Sequence, residues 1–170
     1  MRLNLTPRAR RAVLTAHIIA SVGLLGDSAG FTAVAIRAAT TTDPELASAS
    51  YSTLDMFSWV FGIPLSVIAL ATGLALGLGG KWGVLRHRWV TIKLGLVISV
   101  MLVGSFVIGP AGAAARDGNS TGELALVLAG VYDVLALALA TGLSVYKPRL
   151  TRSAARRRAS SATAPAGSRR

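Results

Sequence analysis

Four long apolar runs dominate the chain and constrain its fold more than any other feature. The first, AVLTAHIIASVGLLGDSAGFTAVAI over residues 12–36, is interrupted only by His17 and Asp27. The others are DMFSWVFGIPLSVIALATGLALGL over 55–78, WVTIKLGLVISVMLVGSFVI over 89–108 and LALVLAGVYDVLALALATGLSVY over 124–146. A helix crosses the hydrocarbon layer with roughly 17 to 25 apolar residues at ~1.5 Å each, so every run is long enough. Backbone amides in lipid must pair within their own segment, which makes helix the expected state. Barrel strands would be about ten residues long with alternating polarity, and that alternation is missing. The expected fold is therefore all-α, a transmembrane four-helix bundle whose short connections favour antiparallel neighbours.

Composition agrees. With 52% hydrophobic residues and a mean hydropathy of +0.57, a chain of 170 residues is too apolar for a water-soluble domain of that size. The net charge of +11, from 18 basic and 7 acidic residues, would suggest nucleic acid in a soluble protein. Here the charges gather at the ends of the apolar runs, with no reading module or interleaved aromatics, so no nucleic-acid partner is expected. Cysteine is absent, which excludes disulfides and thiolate metal sites.

The charges also orient the chain. Arg2, Arg8, Arg10 and Arg11 precede the first run; Lys81, Arg86, Arg88 and Lys93 surround the second connection; eight further basic residues from Lys147 to Arg170 follow the fourth run. The opposite side has only Arg37 and Arg116, accompanied by Asp43, Glu45, Asp117 and Glu123. By the positive-inside rule the basic side is cytoplasmic, with both termini there and the bundle in the plasma membrane. Trp82, Trp89 and Tyr146 then fall near the inner interface, and Tyr51 and Trp59 near the outer one.

Three regions follow: a basic cytoplasmic N-terminus (1–11), the transmembrane domain (12–146), and a basic tail (147–170) whose lack of large apolar residues predicts disorder. An arginine-rich start before an apolar stretch also describes a secretory signal. The small-x-small candidate Ala33-Val34-Ala35, however, lies well beyond the roughly 7 to 15 apolar residues of a signal, so the first run is expected to remain as a helix.

Polar residues inside lipid carry the functional information. Asp27 and Asp133 each lie about nine residues from the outer end of their runs, a shared depth of ~14 Å near the midplane. A carboxylate there costs about 2.5 to 3.5 kcal/mol, so each is expected to face the bundle interior. Facing each other, they would share a proton and suit proton or cation coupling. Alternatively, each is a neutral assembly contact bonded to Ser28, Thr32, Tyr132 or a nearby carbonyl. Asp55, at the outer end of the second run, could cap its helix or line an outer mouth. His17 is expected as a hydrogen-bonded group near the inner surface; as a haem ligand it would need His87, the other histidine, to fold inward from the basic connection.

Small residues and prolines shape the packing. Gly26 with Gly30, and Gly73 with Gly77, form small-x-x-x-small faces for close helix approach. Pro64 is expected to bend or loosen the second helix, and Gly109-Pro110 to stop the third. Asp43-Pro44-Glu45 reads as a turn opening a short helix.

The stretches LTAHIIASVGLLGDSAG and WGVLRHRWVTIKLGLVISV resemble small four-helix integral membrane proteins of actinobacteria that carry no assigned function, and more distantly the membrane domain of copper-resistance D-like proteins. That resemblance implies a plasma-membrane bundle; its copper association would reach at most His17, since the chain has neither a methionine cluster nor a histidine-rich outer surface.

No nucleophile–base arrangement, phosphate-cradling loop or metal-ligand spacing is visible, so no catalytic residue, metal or cofactor is assigned. The leading expectation is a non-enzymatic accessory or assembly protein in the lipid bilayer, alone as a homodimer or with an unlike membrane-protein partner. The alternative is a small transporter or proton/cation-coupled protein using Asp27 and Asp133, and less so a haem or copper-handling protein through His17.

Overall fold

A computed structural model describes residues 6–78 and 88–146. Four helices long and apolar enough to cross a membrane occur among them: α1 (Pro7–Thr40), α2 (Pro44–Leu78), α3 (Val90–Arg116) and α4 (Ser120–Val145). The chain is thus an all-α, multi-pass four-helix bundle. The basic connection with Trp82 and His87, and the tail from 147 onward, lie outside the described residues.

The helices begin and end where local chemistry allows. Thr6 caps α1, its hydroxyl oxygen accepting from the Ala9 N–H at 3.3 Å with Pro7 in the first turn. Asp43 caps α2 by accepting from the Glu45 and Leu46 N–H groups at 2.9 and 3.4 Å, again ahead of a first-turn proline. Asn119 accepts from Thr121 N–H at 2.9 Å as α4 starts. Gly118, at φ 78°, supplies the left-handed turn between α3 and α4.

These caps extend the helices beyond the apolar runs. Because α2 starts at the Asp43 cap, Asp55 lies well inside a helix and does not cap one. Nor does Pro110 stop α3, which continues to Arg116. The reason is the same in both helices. A π-helical segment, Phe57–Gly62 in α2 and Gly104–Ile108 in α3, immediately precedes Pro64 and Pro110. Proline lacks an N–H and its ring crowds the carbonyl one turn back; a wider turn accommodates both defects without ending the helix.

Packing is antiparallel throughout. α1 lies between α2 and α4, while α3 packs mainly on α4 and touches α2 more lightly. Thr41–Asp43 and Asp117–Asn119 make one end of the bundle, here the short-loop end. The core has two apolar clusters. One, nearer the short loops, joins Phe31, Ala35, Tyr51, Leu54, Ala111, Ala115 and Leu126; the other joins Leu24, Val100, Ala136 and Leu137. Tyr51 is therefore a core residue, its hydroxyl donating to Glu123 Oε1 at 3.3 Å. Trp59, 72% exposed, does face outward.

Glycines set the closest helix approaches. A Cβ on Gly130 of α4 would lie 2.6 Å from Thr32 Oγ1 of α1, and one on Gly122 would lie 2.7 Å from the Ala115 backbone nitrogen of α3. Of the pair expected to form a packing face on α1, Gly30 meets the Phe57 ring, but Gly26 faces open space. The other pair contributes Gly73, which lies against the His17 imidazole.

Candidate functional site

Asp27 and Asp133 occupy the junction between the two apolar clusters. Asp27 stands between Leu24 and Phe31 on α1, and Asp133 between Leu126 and Ala136 on α4. Each is about thirteen positions from its helix's short-loop end, Thr40 or Ser120, so at ~1.5 Å per residue the two share a level in the bundle. Asp133 is buried, and Oδ1 of each carboxylate is buried without a hydrogen-bond partner among the described residues.

Two of the partners expected for an assembly contact, Thr32 and Tyr132, are engaged elsewhere. The Thr32 hydroxyl donates to the Ser28 carbonyl at 2.7 Å, and the Tyr132 hydroxyl donates to Ser99 Oγ on α3 at 2.7 Å. Neither supplies a donor to the carboxylates. Oδ2 of Asp27 instead approaches the π-helical segment of α2, lying 3.2 Å from where a Cβ on Gly62 would stand.

His17 bridges α1 to α2. Its Nδ1 lies 3.0 Å from the Ala69 carbonyl and 3.1 Å from Thr72 Oγ1. A carbonyl can only accept, and the Thr72 hydroxyl already donates to the Ile68 carbonyl at 2.6 Å. Nδ1 must therefore carry the proton shared by both acceptors. Lys93 of α3 lies within electrostatic reach of His17 and donates to Ser144 Oγ on α4. All four helices thus contribute to a polar layer at this end. No group of three or more His, Cys, Asp or Glu side chains placed to hold a metal occurs among the described residues.

Toward the short-loop end, α2 and α3 part around a cleft of about 300 Å³. Asp55 and Arg116 close its mouth as an ion pair of 2.6 Å. Arg116 Nη2 also donates to the Tyr51 carbonyl at 3.2 Å, with the guanidinium 5.8 Å from the Tyr51 ring centroid. Both π-helical segments line the cleft, through Ser58 and Trp59 on one wall and Gly104, Ser105 and Ile108 on the other. Asp55 thus lines this cleft, and its partner Arg116 is the residue the sequence did not single out. The two prolines within apolar runs, Pro64 and Pro110, were the available signal for this cleft, since each π-helical segment ends two residues before one of them.

A family model described as predicted integral membrane protein (DUF2269) matches residues 11–148. Neither a curated protein nor a solved structure matches the chain significantly.

Proposed function

The chain belongs to this family of predicted integral membrane proteins, and we propose that it is a small, non-enzymatic transport unit in the plasma membrane that exchanges protons or cations at Asp27 and Asp133. One observation carries this reading: two buried carboxylate oxygens at one level of the bundle, each without a donor among the described residues. Ionisable groups within a span are expensive, and a structural role is served by a satisfied hydrogen bond, not by two unpartnered acceptors. Two neighbouring carboxylates are relieved when the pair shares one proton or binds one cation. In this proposal the basic end and both termini are cytoplasmic, which puts the Asp55–Arg116 cleft on the outer side.

The test is proton flux in liposomes containing the purified protein, read with an internal pH dye. Asp27→Asn and Asp133→Asn are expected to reduce flux at least about tenfold while the thermal transition and size-exclusion profile stay those of the parent. Flux that persists in both variants, or a loss of folded protein in place of a loss of flux, rules the proposal out.

A second reading, an accessory subunit, is favoured by α3. Val100 is the only buried residue described between Val90 and Pro110, so one face of that helix is left for another protein or a second copy. Native mass spectrometry of protein extracted gently from its own membrane separates the two: a stoichiometric unlike subunit supports the accessory reading.

A further inference from the structure

We propose that the cleft between α2 and α3 is a binding site for one membrane amphiphile with a zwitterionic amine–phosphate head, its phosphate on Arg116 and its ammonium on Asp55. The site stands apart from the carboxylate pair and does not depend on proton exchange there.

The cleft sets charged side chains against an apolar inner wall. At the mouth are the two charged side chains, 40% exposed on Arg116 and 61% on Asp55. The inner wall is buried and apolar, formed by Phe31, Leu54 and Leu126, and the hydroxyl-bearing residues Ser58 and Ser105 add polar groups to the lining. Asp55 to Ile63 on the α2 wall spans ~12 Å at 1.5 Å per residue. A polar head on the ion pair and an apolar chain against the inner wall suit this lining. A volume of about 300 Å³ is at the small end of ligand pockets. The rim residue Trp59 is largely exposed, so the cleft opens toward the apolar surroundings of the bundle.

Charge selects the head. Arg116 uses only Nη2 in its hydrogen bonds to the described residues, which leaves its other N–H groups for phosphate oxygens. A purely anionic head would also meet Asp55, and Glu123 lies close by on Tyr51. An ammonium on the same head converts the Asp55 contact from repulsion into a second ion pair. The α3 wall makes room, because Gly104 and Gly109 present no side chain and a Cβ on either would meet nothing within 4 Å.

The full chain is placed in nanodiscs of equal phosphatidylethanolamine, phosphatidylglycerol and phosphatidylcholine, and the lipid retained on release is identified by native mass spectrometry. One phosphatidylethanolamine per chain is expected, in about fivefold or greater excess over each of the two other lipids, which are equally abundant in the bulk. Arg116→Gln should return that enrichment to the bulk share. Gly104→Leu, which fills the cleft from a position with space for a side chain, should do the same with an unchanged thermal transition. Adducts that follow bulk composition, enrichment of phosphatidylglycerol, or undiminished retention in Gly104→Leu would overturn the proposal. Displacement of the lipid by an equal concentration of soluble glycerophosphoethanolamine would also overturn it, by making a free solute the occupant.

Discussion

Oδ2 of Asp27 on α1 lies 3.2 Å from the point that a Cβ on Gly62 of α2 would occupy. The π-helical turn that ends at Gly62 and the Asp27 carboxylate therefore lie against one another, and each limits the other's position. Gly62→Ala sets two effects against each other. Helix propensity gains about 1 kcal/mol, while the carboxylate must yield by a few tenths of an ångström. The two nearly cancel in stability, so the thermal transition should change little. Proton flux should fall several-fold, because Asp27 is displaced relative to Asp133. Gly62→Val, with more bulk at the same point, should lower both. Flux unchanged in Gly62→Val would show that contact with α2 does not position Asp27.

The His17 bridge tests whether the polar layer near Lys93 serves to join helices. His17→Ala removes the donor shared by the Ala69 carbonyl and Thr72 and leaves space beside Gly73. Interhelical hydrogen bonds in membranes contribute about 0.6 to 1.7 kcal/mol, so a loss of about 1 to 2 kcal/mol in a reversible unfolding measurement is expected. Gly73→Leu should cost at least as much, since even its Cβ would come 3.1 Å from His17 Cε1. If His17 instead held a chromophoric group, His17→Ala would remove a visible absorption band from the purified protein.

Span number and helical state were legible because lipid leaves a chain few alternatives: an apolar run of about 20 residues has one stable backbone solution there. The shared depth of Asp27 and Asp133 followed from counting along those runs. What the sequence concealed depends on which way side chains face. The hydroxyls of Thr32 and Tyr132 were plausible donors to the carboxylates by spacing, yet one turns to its own helix and the other to α3. Pro110 looked like a helix stop because the rule for proline assumes an α-turn before it; a π-turn removes the conflict. Arg116 was counted only for its charge, since its pairing with Asp55 joins residues far apart in the chain.

Orientation is checked chemically, using the absence of native cysteine. Thr42→Cys places a thiol at an exposed position in the α1–α2 loop, and Ser160→Cys places one in the basic tail. With the basic end cytoplasmic, an impermeant maleimide should label Thr42→Cys in intact cells and Ser160→Cys only after permeabilisation. The reverse pattern would invert the proposed topology and move the Asp55–Arg116 cleft to the cytoplasmic side.

Glycines that look alike in sequence should differ sharply in what they tolerate. A Cβ on Gly122 would stand 2.7 Å from the Ala115 nitrogen and 2.8 Å from the Ala111 carbonyl oxygen, both backbone atoms of α3 that cannot rotate away. Gly122→Ala must therefore push α3 and α4 apart at this contact, at a cost of about 1 to 3 kcal/mol. Gly26 belongs to the more conspicuous small-x-x-x-small pattern, yet a Cβ there meets nothing within 4 Å. Gly26→Ala should leave stability unchanged or raise it by up to about 1 kcal/mol through helix propensity. Paired unfolding measurements on the two variants decide the matter. Equal destabilisation would mean that a partner or second copy packs on the Gly26 face, whereas loss confined to Gly122→Ala places the critical contact between α3 and α4 of a single chain.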